Sequence, residues 1–275
     1  MDWDLRVDDS ASGAVNMARD VRLAEAVARG ELRPTLRLYG WLPPAVSIGH
    51  HQNPEGACDP AACAAAGWDV VRRPTGGRAV LHAADEVTYA VALPLALAPG
   101  GVLESYAWIA QGLVAAYRLL GVPAELAAGR HLAERSGACF DAPASAELVV
   151  RGRKITGSAQ VRRSGYLLQH GSLPRTFDPD LHARLLGLPA RAARILERRA
   201  AGLADVCPGP TPPRATVEAA LRQGFEQALG IRFTNSAADG RGGAGAQGAG
   251  DPWPEPGSLG EARARDLRAG DAAGD

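Results

Sequence analysis

Lysine is almost missing from this 275-residue chain: of its 30 basic residues, 29 are arginine and only Lys154 is lysine. A chain that uses arginine wherever any cation suffices keeps a lone lysine where a planar, permanently charged guanidinium will not serve. Chance survival of one surface lysine is the plain alternative. Cysteine is scarce too. Cys58, Cys63, Cys139 and Cys207 are too few for a disulfide framework in a chain this long. Cys58 and Cys63 have no second Cys or His pair at zinc-ligand spacing. Net charge is absent, with 30 basic against 30 acidic residues, which argues against a nucleic-acid carrier with a global positive field. No long hydrophobic run exists: the longest, residues 91–97, is interrupted by Pro94, whereas a bilayer span needs about 20 apolar residues. The opening Met1-Asp2-Trp3-Asp4 is acidic where a secretory signal would be basic. The sequence therefore predicts a soluble, cytoplasmic protein with neither a membrane nor a nucleic acid as partner.

What is present has globular composition, 46% hydrophobic and 22% charged. Residues 236–275 differ. Gly and Ala make up 20 of these 40 residues, and Leu259 and Leu267 are the only large aliphatics. Such a segment cannot bury enough apolar surface to offset chain entropy, so it is predicted to be a disordered tail following one domain over 1–235. The tail holds 4 basic and 7 acidic residues, leaving 26 and 23 in the body, a charge of +3.

Periodicity and turn residues predict helices over 14–29, 60–67, 102–120, 179–187 and 216–229. Strands are predicted over 35–41, 45–50, 69–73, 79–82, 87–93, 147–151, 154–162 and 166–169. Pro43-Pro44, Pro74-Thr75-Gly76-Gly77, Gly152 and the two-residue hairpin signal Ser164-Gly165 punctuate them. The order implies an α+β fold of mixed β-sheets flanked by helices. It lacks the regular strand–helix alternation of a doubly wound nucleotide fold.

Three segments carry chemistry. In Arg72-Arg73-Pro74-Thr75-Gly76-Gly77-Arg78-Ala79-Val80-Leu81-His82, two glycines after a strand let the backbone approach a ligand, and the arginines can meet phosphate or carboxylate. No Gly-Lys-Ser/Thr follows, so a phosphate loop is weakly supported, and an ordinary basic turn reads equally well. In Ser136-Gly137-Ala138-Cys139-Phe140-Asp141-Ala142-Pro143, a cysteine sits in a small-residue loop. A nucleophilic role needs a nearby cation and partial exposure; a structural thiol is the commoner case. Cys63, in an Ala-rich helix, reads as a buried small hydrophobe. In Gly152-Arg153-Lys154-Ile155-Thr156-Gly157-Ser158-Ala159-Gln160, the sole lysine opens a strand too small-sided to fill a core. Such a strand leaves room for a ligand chain or marks an edge bulge. Leu168-Gln169-His170-Gly171-Ser172 follows it.

Taken together, and in this order, these segments resemble the biotinyl/lipoyl ligase-and-transferase catalytic family, and within it the Cys-dependent octanoyltransferases of the LipM type. The likeness covers roughly residues 1–230. It implies a lipoate-ligase/biotin-ligase-like α+β domain that moves an octanoyl group from octanoyl-acyl carrier protein to a lysine of a lipoyl-accepting protein, either a glycine-cleavage H protein or a dehydrogenase E2 lipoyl domain. The family's nucleophile falls on Cys139 and its essential lysine on Lys154. Arg72, Arg73, Gly76, Gly77, His82, Gly157, Ser158, Ala159, Gln169 and His170 would shape the substrate site, with neither histidine assigned as general base. Anionic partners would suit the Arg72/Arg73 pair. No metal cluster, redox motif or dinucleotide fingerprint stands in the sequence, so no cofactor is expected.

Departures from the family's usual pattern are Ala146 before Glu147, His50-His51 before Gln52, and Val21 after Asp20. The alternatives on the same fold are an ATP-dependent lipoate–protein ligase, an amidotransferase that passes octanoyl between lipoyl domains, and an inactive relative that holds an acylated partner. Arg78 after the Gly-Gly turn and Asp85-Glu86-Val87-Thr88-Tyr89 fit the transferase version of the pattern better than the ligase version.

Overall fold

The computed structural model describes residues 1–127 and 147–236. The first stretch forms β1 (Asp2–Val7), α1 (Gly13–Ala28), β2 (Thr35–Tyr39), β3 (Ala45–Ile48), α2 (Pro54–Ala57), α3 (Pro60–Ala65), β4 (Asp69–Arg72), β5 (Val80–His82) and β6 (Val87–Pro94). A 3₁₀ turn at Leu95–Leu97 leads into α4 (Val102–Leu119) and β7 (Glu125–Leu126). The second stretch forms β8 (Leu148–Val150), β9 (Arg153–Lys154), β10 (Gly157–Arg163), β11 (Tyr166–Leu173), α5 (Pro179–Leu185), α6 (Arg191–Arg199), α7 (Leu203–Val206), α8 (Arg214–Leu229) and β12 (Arg232–Ser236). Among the described residues, no helix is long and apolar enough to cross a membrane.

The main sheet has the order β10-β11-β6-β2-β1-β12. It is mixed: β1 runs parallel to both β2 and β12, while β2, β6, β11 and β10 pair antiparallel. β6 lies in its interior, and its continuous run Val-Thr-Tyr-Ala-Val-Ala-Leu is buried along its length because both faces of the strand are covered. The principal core includes Leu113 and Tyr117 of α4 and Leu221 and Phe225 of α8, together with Leu36, Tyr89 and Val91 of the sheet. A second sheet, β4-β3-β5, shares a smaller core with Cys63, Leu185 and Leu196 from α3, α5 and α6. A third, β7-β8-β9, holds the sole lysine.

Two tight turns place strands accurately. Arg151-Gly152 between β8 and β9, and Ser164-Gly165 between β10 and β11, each have positive φ at both central residues, as a type I′ hairpin requires. α1 is capped by Ser12, whose side chain accepts from Val15 N.

The structure corrects several predicted elements. The strand expected over 154–162 is two strands in different sheets, broken at Ile155-Thr156. There the Ile155 amide bonds to Leu148 O, and Tyr117 Oη holds Ile155 O and Thr156 Oγ1, each at 2.8 Å. The strand expected over 166–169 continues to Leu173, so His170 is a sheet residue. β1, β12 and α6 were not predicted. The expected tail lies, beyond Ser236, outside the described residues.

Candidate active site

A pocket opens where the main sheet meets β3 and β5, with about 400 Å³ of space free of protein atoms, counting its mouth. Met17 from α1 and Tyr39 and Trp41 from the β2 end form one side. Gly77, Val80 and His82 come from the Gly-Gly turn and β5, and Gly157, Ser158, Ala159, His170, Gly171 and Ser172 from the β10–β11 hairpin. Small residues on β10 leave space because they offer almost no side chain. The pairing is tight as well as small: a Cβ on Gly171 would stand 2.5 Å from Ser158 Oγ and 2.6 Å from Tyr89 Cε1.

Two buried histidine–carboxylate pairs line the wall. His82 Nδ1 lies 2.7 Å from Glu86 Oε1 and its Nε2 lies 2.8 Å from Ser47 Oγ. Glu86 also accepts from Thr88 Oγ1 and Ser172 Oγ, Thr88 accepts from Trp41 Nε1, and the Trp41 ring stacks on His82 at 4.0 Å. His170 Nδ1 lies 3.0 Å from Asp20 Oδ2 and its Nε2 lies 2.7 Å from Thr75 Oγ1. Asp20 further accepts from Tyr39 Oη and from Arg37 Nη1 at 2.6 Å. Burial works to raise the Asp20 carboxyl, but Arg37 and His170 outweigh it and hold it below the usual carboxylate range. Burial likewise pushes the His170 imidazole below the usual histidine value, with Asp20 opposing. A carboxylate beside Nδ1 takes a ring N–H there, and a hydroxyl stands at each Nε2. Both nitrogens of each ring are thus occupied by side chains, which makes the rings oriented wall elements.

The arginines serve the backbone. Arg73 is buried and donates to Ser47 O at 2.9 Å, to Gly76 O at 2.6 Å and to Arg78 O at 2.7 Å, clamping the Gly-Gly turn in place. Arg72 is exposed, and its Nη1 donates to Gly49 O, His50 O and Gln52 O, each within 2.9 Å. The two loops interlock so closely that a Cβ on Gly49 would lie 1.9 Å from Gly77 O. His50-His51, one of the departures from the family pattern, sits in the loop that Arg72 ties down. Gly76 is part of the clamped turn, outside the pocket lining. Gln169 lies behind the wall: its Nε2 donates to Tyr89 Oη at 2.9 Å, and Tyr89 in turn donates to Ser158 Oγ at 2.8 Å.

Lys154, three residues before the small-sided strand, is fully buried, with Nζ 2.5 Å from Glu147 Oε1. An ammonium in such a place requires a counter-charge. Cys139 and Ala146 lie outside the described residues. Cys58 and Cys63 are buried, and burial pushes the Cys63 thiol up to about 11, far from the depressed value a nucleophile needs. Among the described residues, no three His, Cys, Asp or Glu side chains gather to hold a metal.

Sequence reasoning missed Glu147, Glu86 and the part Asp20 plays. The signal for Asp20 was available: with Asn16 it interrupts the buried stripe of α1 at helical spacing. For Glu147 the signal was the lysine itself, which once buried needs an acid nearby.

The fold and this site define an α+β domain with a pocket lined by small and apolar residues and, outside that lining, a buried lysine–glutamate pair. The chain belongs to the lipoyl protein ligase A/B catalytic domain family, whose model matches residues 12–226. It is 44% identical over 244 residues to an octanoyltransferase LipM of Kyrpidia tusciae, covering 84% of this chain and 88% of that one. A second octanoyltransferase LipM, from Symbiobacterium thermophilum, is 44% identical over 242 residues with the same coverage. Among solved structures, lipoate-protein ligase A bound with ATP is 25% identical with a TM-score of 0.69, covering 86% of this chain and 89% of that one. The bi-partite lipoate protein ligase of Thermoplasma acidophilum shares the fold at a TM-score of 0.70 and 22% identity, covering 86% and 87%.

Proposed function

We propose that the chain is an octanoyltransferase of protein lipoylation, carrying the acyl group from octanoyl-acyl carrier protein through a Cys139 thioester to a lysine of a lipoyl-accepting domain. The observation that supports it best is the small-residue and apolar lining of the pocket. A wall of Gly157, Ser158 and Ala159 faces Met17, Trp41 and Val80, and burying an acyl chain there contributes about 0.8 kcal/mol per CH₂. Lys154 stands three residues before that wall in the chain, and the relatives that match most of the chain carry the octanoyltransferase name.

In the first step the Cys139 thiolate adds to the donor thioester carbonyl. The tetrahedral oxyanion collapses, the bond to the carrier's pantetheine sulfur breaks, and that sulfur leaves and takes up a proton. The acceptor lysine, as the neutral amine, then adds to the Cys139 thioester. An amide forms, the Cys139 sulfur departs, and the amine proton passes to it. The Lys154 ammonium favours the thiolate and meets the negative oxygen in both steps. Glu147 holds that ammonium in place. A thioester is already activated, so neither step calls for ATP or another cofactor.

The test is intact mass after incubation with octanoyl-carrier protein and no ATP. The expected result is an octanoyl adduct that Cys139→Ser abolishes and Cys63→Ser leaves intact. Acceptor modification only when ATP and free octanoate are supplied would make the chain a ligase. No reaction under either condition would leave an acyl-binding protein.

A further inference from the structure

One face of α6 has no structural use. Its inner side, Ala192, Ala193 and Leu196, is buried, and Leu196 joins the core shared with β3 and β5. At about 100° per residue, Arg191, Arg194 and Arg198 fall within about 60° of one another on the opposite side, and all three are exposed. Arg184 of α5, the helix packed against α6, is exposed as well. None of these four has an ion-pair or hydrogen-bond partner among the described residues. The helix's own acid, Glu197, lies on the flank of the stripe. Like charges three and four residues apart weaken a helix, so the stripe costs α6 stability.

The stripe is anchored to the reacting end of the site. Ala200, which caps α6, bridges Lys154 in a parallel β-bridge. Ala201 N donates to Lys154 O at 2.9 Å, and Arg153 Nε donates to Ala200 O at 2.9 Å. Arg198 therefore stands two residues from the one that bridges the lysine. Of the pair that looked in sequence like the steering arginines, Arg73 is buried with its donors on backbone carbonyls, and Arg72 has Nη1 on the carbonyls of the neighbouring loop.

We propose that the arginine face of α6, with Arg184, is the docking surface for the anionic carrier protein that delivers the acyl thioester. This rests on the transferase reading above. Unpaired guanidinium forks suit a phosphodiester, which the donor's pantetheine arm carries and an acceptor lysine does not. The surrounding positive face steers an acidic protein toward the slot.

The test is the triple charge reversal Arg191→Glu/Arg194→Glu/Arg198→Glu, with the triple Arg→Lys variant as a folded control that keeps the charge. Fluorescently labelled holo-carrier protein is titrated at low and moderate salt. Wild type is expected to bind with strong salt dependence, and the reversal to bind at least about tenfold more weakly with a flatter salt response. The Lys variant should lie between them. In transfer assays KM for octanoyl-carrier protein should rise about tenfold while octanoyl-pantetheine, which has no protein surface, reacts as before. Equal carrier affinity in wild type and reversal would overturn the proposal, as would a KM increase confined to the acceptor domain. Wild type that binds carrier yet takes no octanoyl onto Cys139 would defeat the transferase reading alone, since the titration decides the docking surface by itself.

Discussion

Lys154 and Glu147 form a buried ion pair across the β8–β9 hairpin, with Lys154 at 0% exposure and Glu147 at 6%. Two charges removed from water stand only together, and losing one partner of such a pair typically costs about 3–5 kcal/mol. Glu147→Gln should therefore lower the melting temperature and, on the proposed mechanism, slow octanoyl transfer by about tenfold or more. Lys154→Arg should not restore the rate, because a planar fork cannot occupy a point-charge site. Stopped-flow acylation with intact-mass quenching measures both, and an unchanged rate in Glu147→Gln would remove Glu147 from the mechanism.

Asp20 joins α1 to two strands of the main sheet, β2 through Arg37 and Tyr39 and β11 through His170. Its pKa lies below the unfolded carboxyl value, so its contribution is complete above about pH 3.9 and is lost as pH falls through the folded value. Asp20→Asn should be less stable than wild type by about 3 kcal/mol at neutral pH, because it leaves Arg37 short of a charge. Denaturant unfolding should show that gap closing in strong acid. A gap that persists there would mean that the loss is steric.

His182 gives a second pH signature, in the same direction but at higher pH. Burial in α5 pushes its pKa from 6.5 to about 4, although Asp178 O accepts from its ring. Between those values the unfolded chain binds the extra proton, so stability falls as pH drops from 6.5 toward 4. The full effect is roughly 3 kcal/mol. His182→Gln should flatten this part of the stability–pH curve; parallel curves for the two proteins would refute the assignment.

At Gly49 the expected effect is steric. Gly49→Ala puts a methyl group 1.9 Å from Gly77 O, which is backbone, so one loop must move. A loss of about 1–3 kcal/mol is expected. Because Gly77 lines the slot, KM for an octanoyl thioester should rise more than kcat falls. An unchanged KM would show that the loop shifts away from the pocket.

Several strand positions could be read from residue patterns: β6 is an apolar run ending at Pro94, and Pro34, Gly40 and Gly165 bound β2 and the start of β11. β1 carried a usable alternation at Trp3 and Leu5, but its charged neighbours obscured it. α6 was missed because its buried side consists of two alanines and one leucine among four arginines. Pocket residues were legible where glycine marks close approach, as at Gly77 and Gly157. Arg72 and Arg73 show the limit: a sequence displays a guanidinium but not whether its donors are already engaged. Partners such as Glu86 and Glu147 are ordinary acids until the fold encloses them.

The change of sheet at Ile155-Thr156 carries one last consequence. Lys154 ends one ladder and Gly157 begins another, so a spacer of two residues sets the distance and facing of the amine relative to the slot. Strand side chains alternate in direction. An insertion or deletion of a single residue in that spacer would therefore turn the amine away from its present facing while leaving every side chain of the two strands in the sequence.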